Sequence, residues 1–422
     1  MIFNNQLDYE VIDKKVILQI ITNLCAGRHI LLGGPIGTGK SALAEKIPKV
    51  FWNYETELVT ATFEWGASDV VGGYKPRADR EGFEMIDGCV TRTVKDSNKL
   101  KNKGKWLIID EFNRADIDKA MGQLFSSLVN GKIQSNEEQI EIPPNYRIIG
   151  TLNTSDKHYL HHLSSALLRR FAYIVVNHPI DENPEIEFGY ALRNAFDKTE
   201  FSKEDVDRLF KIEDDKDIVF SKPMFEDLFK HAFNIFQYVR NEKAIGTAVI
   251  EAMFQTMITR LLLRNEGENI ANGSEALDYA LVSNIMPQLW NTNNTFLECL
   301  KAFCTDDIGK FFIEKFKEIK KQQVPNFQKY AKEMRNFQKM YVGMITEKNY
   351  FPTGDLEKMR ESDKKGVWDI IKDFEDGIKF EDVEKIETFK KIIQKSSTRN
   401  YNLEFFKRTL DEEIRKSDFE TY

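Results

Sequence analysis

The residues best suited to chemistry lie in the run GGPIGTGKS, Gly33 to Ser41, where Gly34, Gly39, Lys40 and Ser41 fit the spacing GxxxxGK[ST]. Glycines in such a loop let the main chain fold tightly round a phosphate chain with its N–H groups turned inward. The loop is therefore expected to be Gly34, Pro35, Gly37, Thr38, Gly39, Lys40 and Ser41. A helix starting near Lys40 would add the positive end of its dipole. Lys40 would reach the β- and γ-phosphates, and the Ser41 hydroxyl would ligate Mg²⁺.

A second acidic element, WLIIDE, Trp106 to Glu111, reads as an apolar strand ending in two carboxylates. Ligands of open α/β sheets bind off the carboxyl ends of the strands, which would bring both groups beside the phosphate loop. Asp110 would hold Mg²⁺ through water and Glu111 would polarise an attacking water.

These residues need a scaffold, and the first 180 residues supply a pattern for one. Short apolar runs, His29 to Leu32, Glu57 to Phe63, Lys105 to Ile109, Tyr146 to Leu152 and Ala172 to Val176, alternate with helical patterns. Near-continuous apolar strands separated by helices predict a parallel sheet of five strands covered on both faces, an α/β nucleotide fold. Beyond Pro179 helical periodicity dominates. The acidic KIEDDKD stretch, residues 211–217, reads as a solvated connector, and the polar run Asn291 to Thr295 as a second boundary. These breaks give an expected core at 1–180, a helical lid at 181–300 and a mainly helical carboxy-terminal region at 301–422.

Taken together, the motifs resemble those of the AAA+ ATPases, in the dynein-related branch that holds MoxR and the McrB restriction motor. GGPIGTGKS corresponds to Walker A, and SDVVGGYKP with GFEMIDGCV is similar to that branch's insert in helix 2. LIIDEFNRAD resembles its extended Walker B, IPPNYRIIGTLNTSDK its sensor-1 strand, and SSALLRRF the segment carrying the arginine finger. The resemblance covers roughly residues 10 to 290. It implies a P-loop NTPase fold with a helical lid, ATP in preference to GTP as nucleotide, and Mg²⁺. It also implies Asn153 as sensor 1 and Arg170 as the finger, with Arg169 as the alternate.

A finger acting on a neighbour's nucleotide implies a head-to-tail ring, hexameric by resemblance. The sensor-2 arginine common in relatives after a Gly-Pro pair is replaced by Gly246, Thr247 and Ala248, leaving Arg240 or Lys243 to substitute. The NGKIQSNEEQIEI stretch, with turn signals at Asn130-Gly131 and Ser135-Asn136, and the insert around Tyr74 and Phe83 are expected to be hairpins facing a pore or a partner. Remodelling or translocation of a macromolecule follows as the expected output, in a prokaryotic restriction or antiviral defence system with a nuclease-like partner. The alternatives are a MoxR-like chaperone ATPase and a nucleotide-dependent assembly switch that activates an effector.

Composition bounds these readings. The 422 residues are 41% hydrophobic and 30% charged, which suits a globular chain and excludes a wholly disordered one. With 60 Lys and Arg against 67 Asp and Glu, the net charge of −7 lacks the positive excess of a protein that holds nucleic acid unaided. Nucleic acid is expected only through the assembly. The apolar stretch Ala244 to Leu263 carries Glu251, Gln255 and Arg260, which argues for a buried helix rather than a membrane span. Four scattered cysteines and an amino terminus without an apolar leader segment fit a reducing, cytoplasmic location. The phosphate loop starts some thirty residues in, so recognition is expected in the carboxy-terminal region, in inserts or in another protein. His158, His161 and His162 lack a partner carboxylate or cysteine at ligand spacing and read as a surface turn, and DFEDGIKFED, residues 373–382, lacks the DxDxDG of a calcium loop.

Overall fold

A computed structural model describes residues 11–77, 81–100, 103–122, 124–135, 138–154, 169–178, 184–213, 217–263, 273–304 and 402–419. It divides into two compact units, Met1–Pro179 and Ile180–Tyr422. His158, His161, His162 and residues 373–382 lie outside the described residues.

In the first unit the chain runs α1 (Lys14–Cys25), β1 (His29–Gly34), α2 (Lys40–Trp52), β2 (Glu55–Thr60), α3 (Ala67–Val70), β3 (Gly72–Pro76), β4 (Phe83–Asp87), α4 (Cys89–Lys99) and β5 (Lys105–Asp110). A 3₁₀ turn (Phe112–Arg114), α5 (Ile117–Met121), α6 (Leu124–Asn130), β6 (Lys132–Ser135), β7 (Glu138–Glu141), β8 (Ile148–Asn153) and β9 (Phe171–Val175) follow. Five strands form one sheet in the order β2-β5-β8-β1-β9, every neighbouring pair parallel. All five strand positions read from the sequence are strands, although β2 begins two residues earlier than expected and ends at Thr60.

Alternation along each strand builds two cores. Ile30, Leu32, Trp106, Ile108, Ile149, Ala172 and Ile174 pack with Ile20 and Leu24 of α1 and Leu43 and Ile47 of α2 on one face. Leu31, Leu107, Ile109, Ile148 and Phe171 pack with Val90 and Val94 of α4 and Ala120 and Met121 of α5 on the other. Side chains of a strand point alternately to opposite faces, so a strand covered on both sides must be apolar at every position. That is why HILL and WLII carry no polar interruption.

The insert and the stretch before β8 are both hairpins, β3 with β4 and β6 with β7. Helix α4 ties them together: Lys95 pairs with Asp87 at the end of β4 (2.9 Å) and with Glu138 of β7 (3.4 Å), and Asn98 donates to the Glu141 carbonyl. Tyr74, Pro76 and Phe83, which share one hairpin face through the pairings Tyr74–Met85 and Pro76–Phe83, are exposed. Of the two expected turns in the later stretch, Gly131 (φ 69°) joins α6 to β6, and the hairpin reverses after Ser135.

The second unit comprises α7 (Pro184–Asp197), α8 (Lys203–Val206), β10 (Phe210–Glu213), β11 (Asp217–Phe220), α9 (Pro223–Glu242), α10 (Thr247–Leu262), α11 (Gly273–Ala280), a π turn and a 3₁₀ turn over Leu281–Leu289, α12 (Asn294–Cys304) and α13 (Glu404–Phe419). Its centre is α9, in which every residue from His231 to Arg240 is buried. A helix covered all round must neutralise its polar side chains internally. Arg240 does so through a two-pronged pair with Glu187 (2.7 and 2.6 Å), a bond from Nε to the Ile245 carbonyl (3.0 Å) and stacking on Phe236, while Thr247 donates to the same Glu187 carboxylate (2.7 Å). Burial holds the His231 imidazole near pKa 4, hence neutral.

Three expectations fail in this unit. The acidic stretch at 211–217 is not a plain connector: its ends are strands of the β10–β11 hairpin, because Phe210 and Phe220 pack against Phe229 and fix the register Phe210↔Phe220. Asn291 to Thr295 is not a boundary, since Thr292 and Thr295 are buried inside the unit and Asn294 and Thr295 already belong to α12. Arg240 is no stand-in for a phosphate-sensing arginine, because its guanidinium is consumed by Glu187. Lys243 is left as the accessible cation, with Nζ donating to the Trp290 carbonyl at 3.3 Å.

The described residues resume at Asn402, and α13 packs into this same core. Asp278 of α11 accepts the N–H groups of Phe405 and Phe406 at 2.9 and 2.8 Å, capping α13 from another helix, and Leu403, Phe406 and Leu410 are fully buried. The described end of the carboxy-terminal region is thus part of the helical unit's core. Phe406→Ala is expected to destabilise the chain by about 3–5 kcal/mol, the usual range for a buried aromatic cut to Ala, read as a lowered urea midpoint. An unchanged midpoint would mean that α13 adds nothing to the core.

Candidate active site

Strand order places the chemistry. β8 lies between β1 and β5, and the register sets Gly34 beside Asn153 and Ile109 beside Gly150. The loop after β1, the carboxylates after β5 and Asn153 at the end of β8 therefore emerge side by side at the carboxyl end of the sheet.

The phosphate loop has the backbone its glycines predict. Gly37 and Gly39 both stand at φ 77°, the left-handed region, and Gly39 is the residue at the start of α2, with no side chain capping that helix. Gly34 is required for a different reason: a Cβ there would lie 2.0 Å from the Val176 carbonyl oxygen. Thr38 is buried and its hydroxyl donates to the Pro35 carbonyl at 3.1 Å, closing the loop.

Lys40 is 5% exposed, and its ammonium donates to the Gly34 and Pro35 carbonyls at 3.1 and 2.5 Å. Desolvation lowers its pKa to about 8, against the opposing pull of Asp110 and Glu111. An anionic phosphate would supply the counter-charge that burial denies it. Binding a phosphate chain should therefore raise the pKa and take up a proton above pH 8. Affinity is expected to fall as pH rises through about 8, approaching tenfold per pH unit, with proton uptake visible as a buffer-dependent heat in calorimetry. Affinity flat from pH 7 to 9.5 would show that the Lys40 charge does not bind the ligand.

The Ser41 hydroxyl donates to Asp110 Oδ1 at 2.6 Å, and Thr151 Oγ1 lies 2.5 Å from the same oxygen. Hard oxygen donors from a hydroxyl and a carboxylate suit Mg²⁺ carried in on a nucleotide. Among the described residues, no group of three or more His, Cys, Asp and Glu side chains could hold a metal ion.

Glu111 has φ 52°, left-handed for a residue with a side chain, as the chain turns sharply out of β5 into the 3₁₀ turn. Such a conformation persists only where its surroundings impose it, and it collects at functional sites. The Glu111 N–H donates to Thr151 Oγ1 at 3.1 Å, its carbonyl accepts from the Arg114 N–H, Asn153 Nδ2 lies 3.4 Å from its Oε1, and Arg114 forms an ion pair with its Oε2. Asn113, buried behind the turn, donates to the Asn153 carbonyl.

Lys40, Ser41, Asp110, Glu111 and Asn153 thus converge. Arg169 and Arg170 stand in the turn that leads into β9. Arg169 is exposed in a turn, and Arg170 is half-buried, its Nε donating to the Phe125 carbonyl at 3.0 Å with the guanidinium over the Phe125 ring. The bridging hydroxyl of Thr151 is missing from the sequence analysis, whereas Arg114 of DEFNRAD, readable there as a residue near a subunit boundary or equally as a salt-bridge partner, forms its ion pair with Glu111. Thr151 had a signal, because it stands two residues before Asn153 and a strand's period of two puts both on one face. Arg114 falls three residues after Glu111, but the left-handed turn that swings it back onto the carboxylate has no sequence signature.

Residues 29–171 match the model of the AAA domain (dynein-related subfamily). The EcoKMcrB subunit of the type IV methyl-directed restriction enzyme of Escherichia coli (strain K12) is 27% identical over 185 residues, 40% of this chain and 40% of that protein. The gas vesicle ATPase GvpN of Ancylobacter aquaticus is 27% identical over 169 residues, 37% of this chain and 47% of that one. The chain thus spans less than half the length of either relative. A solved RuvB mutant of Thermotoga maritima aligns over 69% of this chain and 77% of its own at 17% identity and a TM-score of 0.39, a likeness that adds nothing to the strand order above. Sheet order, phosphate loop and family match together make residues 29–171 an AAA domain of the dynein-related subfamily, with MoxR/McrB-like relatives.

Proposed function

We propose that the chain is the Mg²⁺-dependent, ATP-hydrolysing subunit of a head-to-tail ring, coupling turnover to remodelling or translocation of a macromolecule. The observation that supports this most is the convergence of Lys40, Ser41 with Asp110, and Glu111 with Asn153 at one end of the sheet. In this reading the loop from Gly34 to Ser41 cradles the phosphates, with Lys40 on their outer oxygens. Ser41 and Asp110 would hold Mg²⁺, which would offset the charge of the phosphates. Glu111 takes the proton of the attacking water, and Asn153 orients that water. Arg170, its Nε anchored on Phe125, presents its guanidinium to the next subunit, with Arg169 as the exposed alternate.

The nucleotide is ATP rather than GTP, by the prevailing habit of the superfamily. The exposed face of Tyr74, Pro76 and Phe83, held to the second hairpin through Lys95, is proposed to face the pore or a partner. Likeness to a restriction enzyme subunit supports a cytoplasmic, prokaryotic defence role with a nuclease-like effector, which would bring the affinity for nucleic acid that a net charge of −7 does not. Among the described residues no helix is long and apolar enough to cross a membrane. The ion pair between Arg114 and Glu111 favours one second reading, an assembly switch in which the base stays engaged and a partner does the chemistry. Phosphate release and light scattering with and without Mg²⁺-ATP test both. A monomer at every nucleotide concentration would sink the ring, and a ring without phosphate release, alone or with its effector, would leave the switch.

A further inference from the structure

We infer that Thr151 is a positioning residue that couples the metal-holding carboxylate to the turn carrying the base. This rests on the hydrolase reading for its meaning and on the following geometry for its content. Thr151 lies on β8, the strand between the phosphate-loop strand and the acidic strand, and is 2% exposed. Its hydroxyl has one proton to give and lone pairs to receive. It gives the proton to Asp110 Oδ1 at 2.5 Å and receives the N–H of Glu111 at 3.1 Å.

One oxygen atom thus satisfies both groups. On the carboxylate side, Asp110 Oδ1 is held between Thr151 and Ser41, which fixes the rotation of the carboxylate and points it at the loop. On the backbone side, the Glu111 N–H of a left-handed residue has its partner in Thr151 Oγ1, so the hydroxyl holds the chain in the φ 52° conformation from which the Glu111 side chain projects. The register accounts for the meeting: Ile109 pairs with Gly150, so the next residue on each strand, Asp110 and Thr151, lie side by side where the β5–β8 pairing ends. Gly150 itself has no room for a side chain, since a Cβ would lie 2.5 Å from Leu31 and 3.0 Å from Phe112. β8 is therefore held in place immediately before the threonine.

Valine has threonine's shape and β-branching without the hydroxyl, so Thr151→Val keeps the strand and removes both hydrogen bonds. Groups that orient a metal's ligands commonly affect metal affinity or activity by about 10- to 100-fold. The test uses the full chain and a fluorescent ATP analogue, with affinity measured in EDTA and across a Mg²⁺ titration, alongside phosphate release. Thr151→Val is expected to bind the analogue in EDTA as the wild type does. It should need about tenfold or more Mg²⁺ for half-saturation and show a lower kcat, with Thr151→Ser restoring both. Thr151→Ala, which lacks the hydroxyl and cannot clash, serves if the valine variant does not fold.

Affinity lost equally in EDTA and in Mg²⁺ would overturn the inference, because it would place Thr151 in the fold of the loop. An unshifted Mg²⁺ requirement, or a serine variant no better than valine, would overturn it as well. Wild-type protein that binds the analogue with Mg²⁺ but releases no phosphate would end the hydrolase reading alone, since the Mg²⁺ shift can still be read from binding.

Discussion

Glu111→Gln is expected to bind Mg²⁺-ATP about as well as the unaltered chain while its phosphate release falls by about 10²–10⁴-fold, the usual contribution of a positioned general base. The substitution keeps the shape and the Asn153 contact and removes the charge. Binding should survive because the phosphates are held by the loop after β1 and by Lys40 of α2, and because the Glu111 N–H stays on Thr151. Equilibrium binding with single-turnover phosphate release separates the two effects. Removing the carboxylate also frees Arg114, so the variant should trap the nucleotide-bound assembly. Equal loss of binding and turnover would show that Glu111 is structural, and full turnover would remove it from the chemistry.

The second large effect concerns a residue outside the cluster. Arg170→Ala is expected to lower turnover by about 10³-fold or more, in the range of arginine fingers, without weakening nucleotide binding to the chain's own loop. Mixing should then distinguish a finger from a local support. Arg170→Ala subunits keep an intact base and Glu111→Gln subunits keep an intact finger, so a mixed ring restores complete sites at roughly one interface in four under random assembly. Two inactive proteins should regain activity when combined, saturating as the ratio approaches one to one. No recovery on mixing, with assembly confirmed by light scattering, would mean that Arg170 acts within its own chain, as its bond to the Phe125 carbonyl would then suggest. If Arg169→Ala rather than Arg170→Ala shows the complementation, the exposed residue is the finger.

Much of the candidate site is legible in residue order because its parts are local. GGPIGTGKS needs only its own glycines, and a strand running into Asp110 and Glu111 announces itself by apolar residues that stop at two charges. The five strands are legible for a related reason: covered on both faces, they tolerate no polar residue, and that leaves a mark in composition. KIEDDKD misled because its four acidic residues outnumber its single apolar one, Ile212, whose partner across the β10–β11 hairpin, Ile218, lies just beyond the run. Charge was counted where register mattered. Asn291 to Thr295 misled similarly, since threonines read as loop residues are buried inside the helical unit.

By itself the sequence determined that a phosphate loop, an acidic strand end and an asparagine after an apolar strand occur in one α/β unit, because each is a short-range pattern. Only the tertiary structure decided that they form a single constellation, since the order β5-β8-β1 brings residues 69 and 41 positions apart, Ser41 with Asp110 and Asp110 with Thr151, onto one oxygen atom. It also decided that Arg240 belongs to Glu187 rather than to a phosphate, and that a helix near the chain's end completes the helical core. Hydrogen bonds and burial join residues by where strands and helices pack, and packing is not a property of neighbours in the chain.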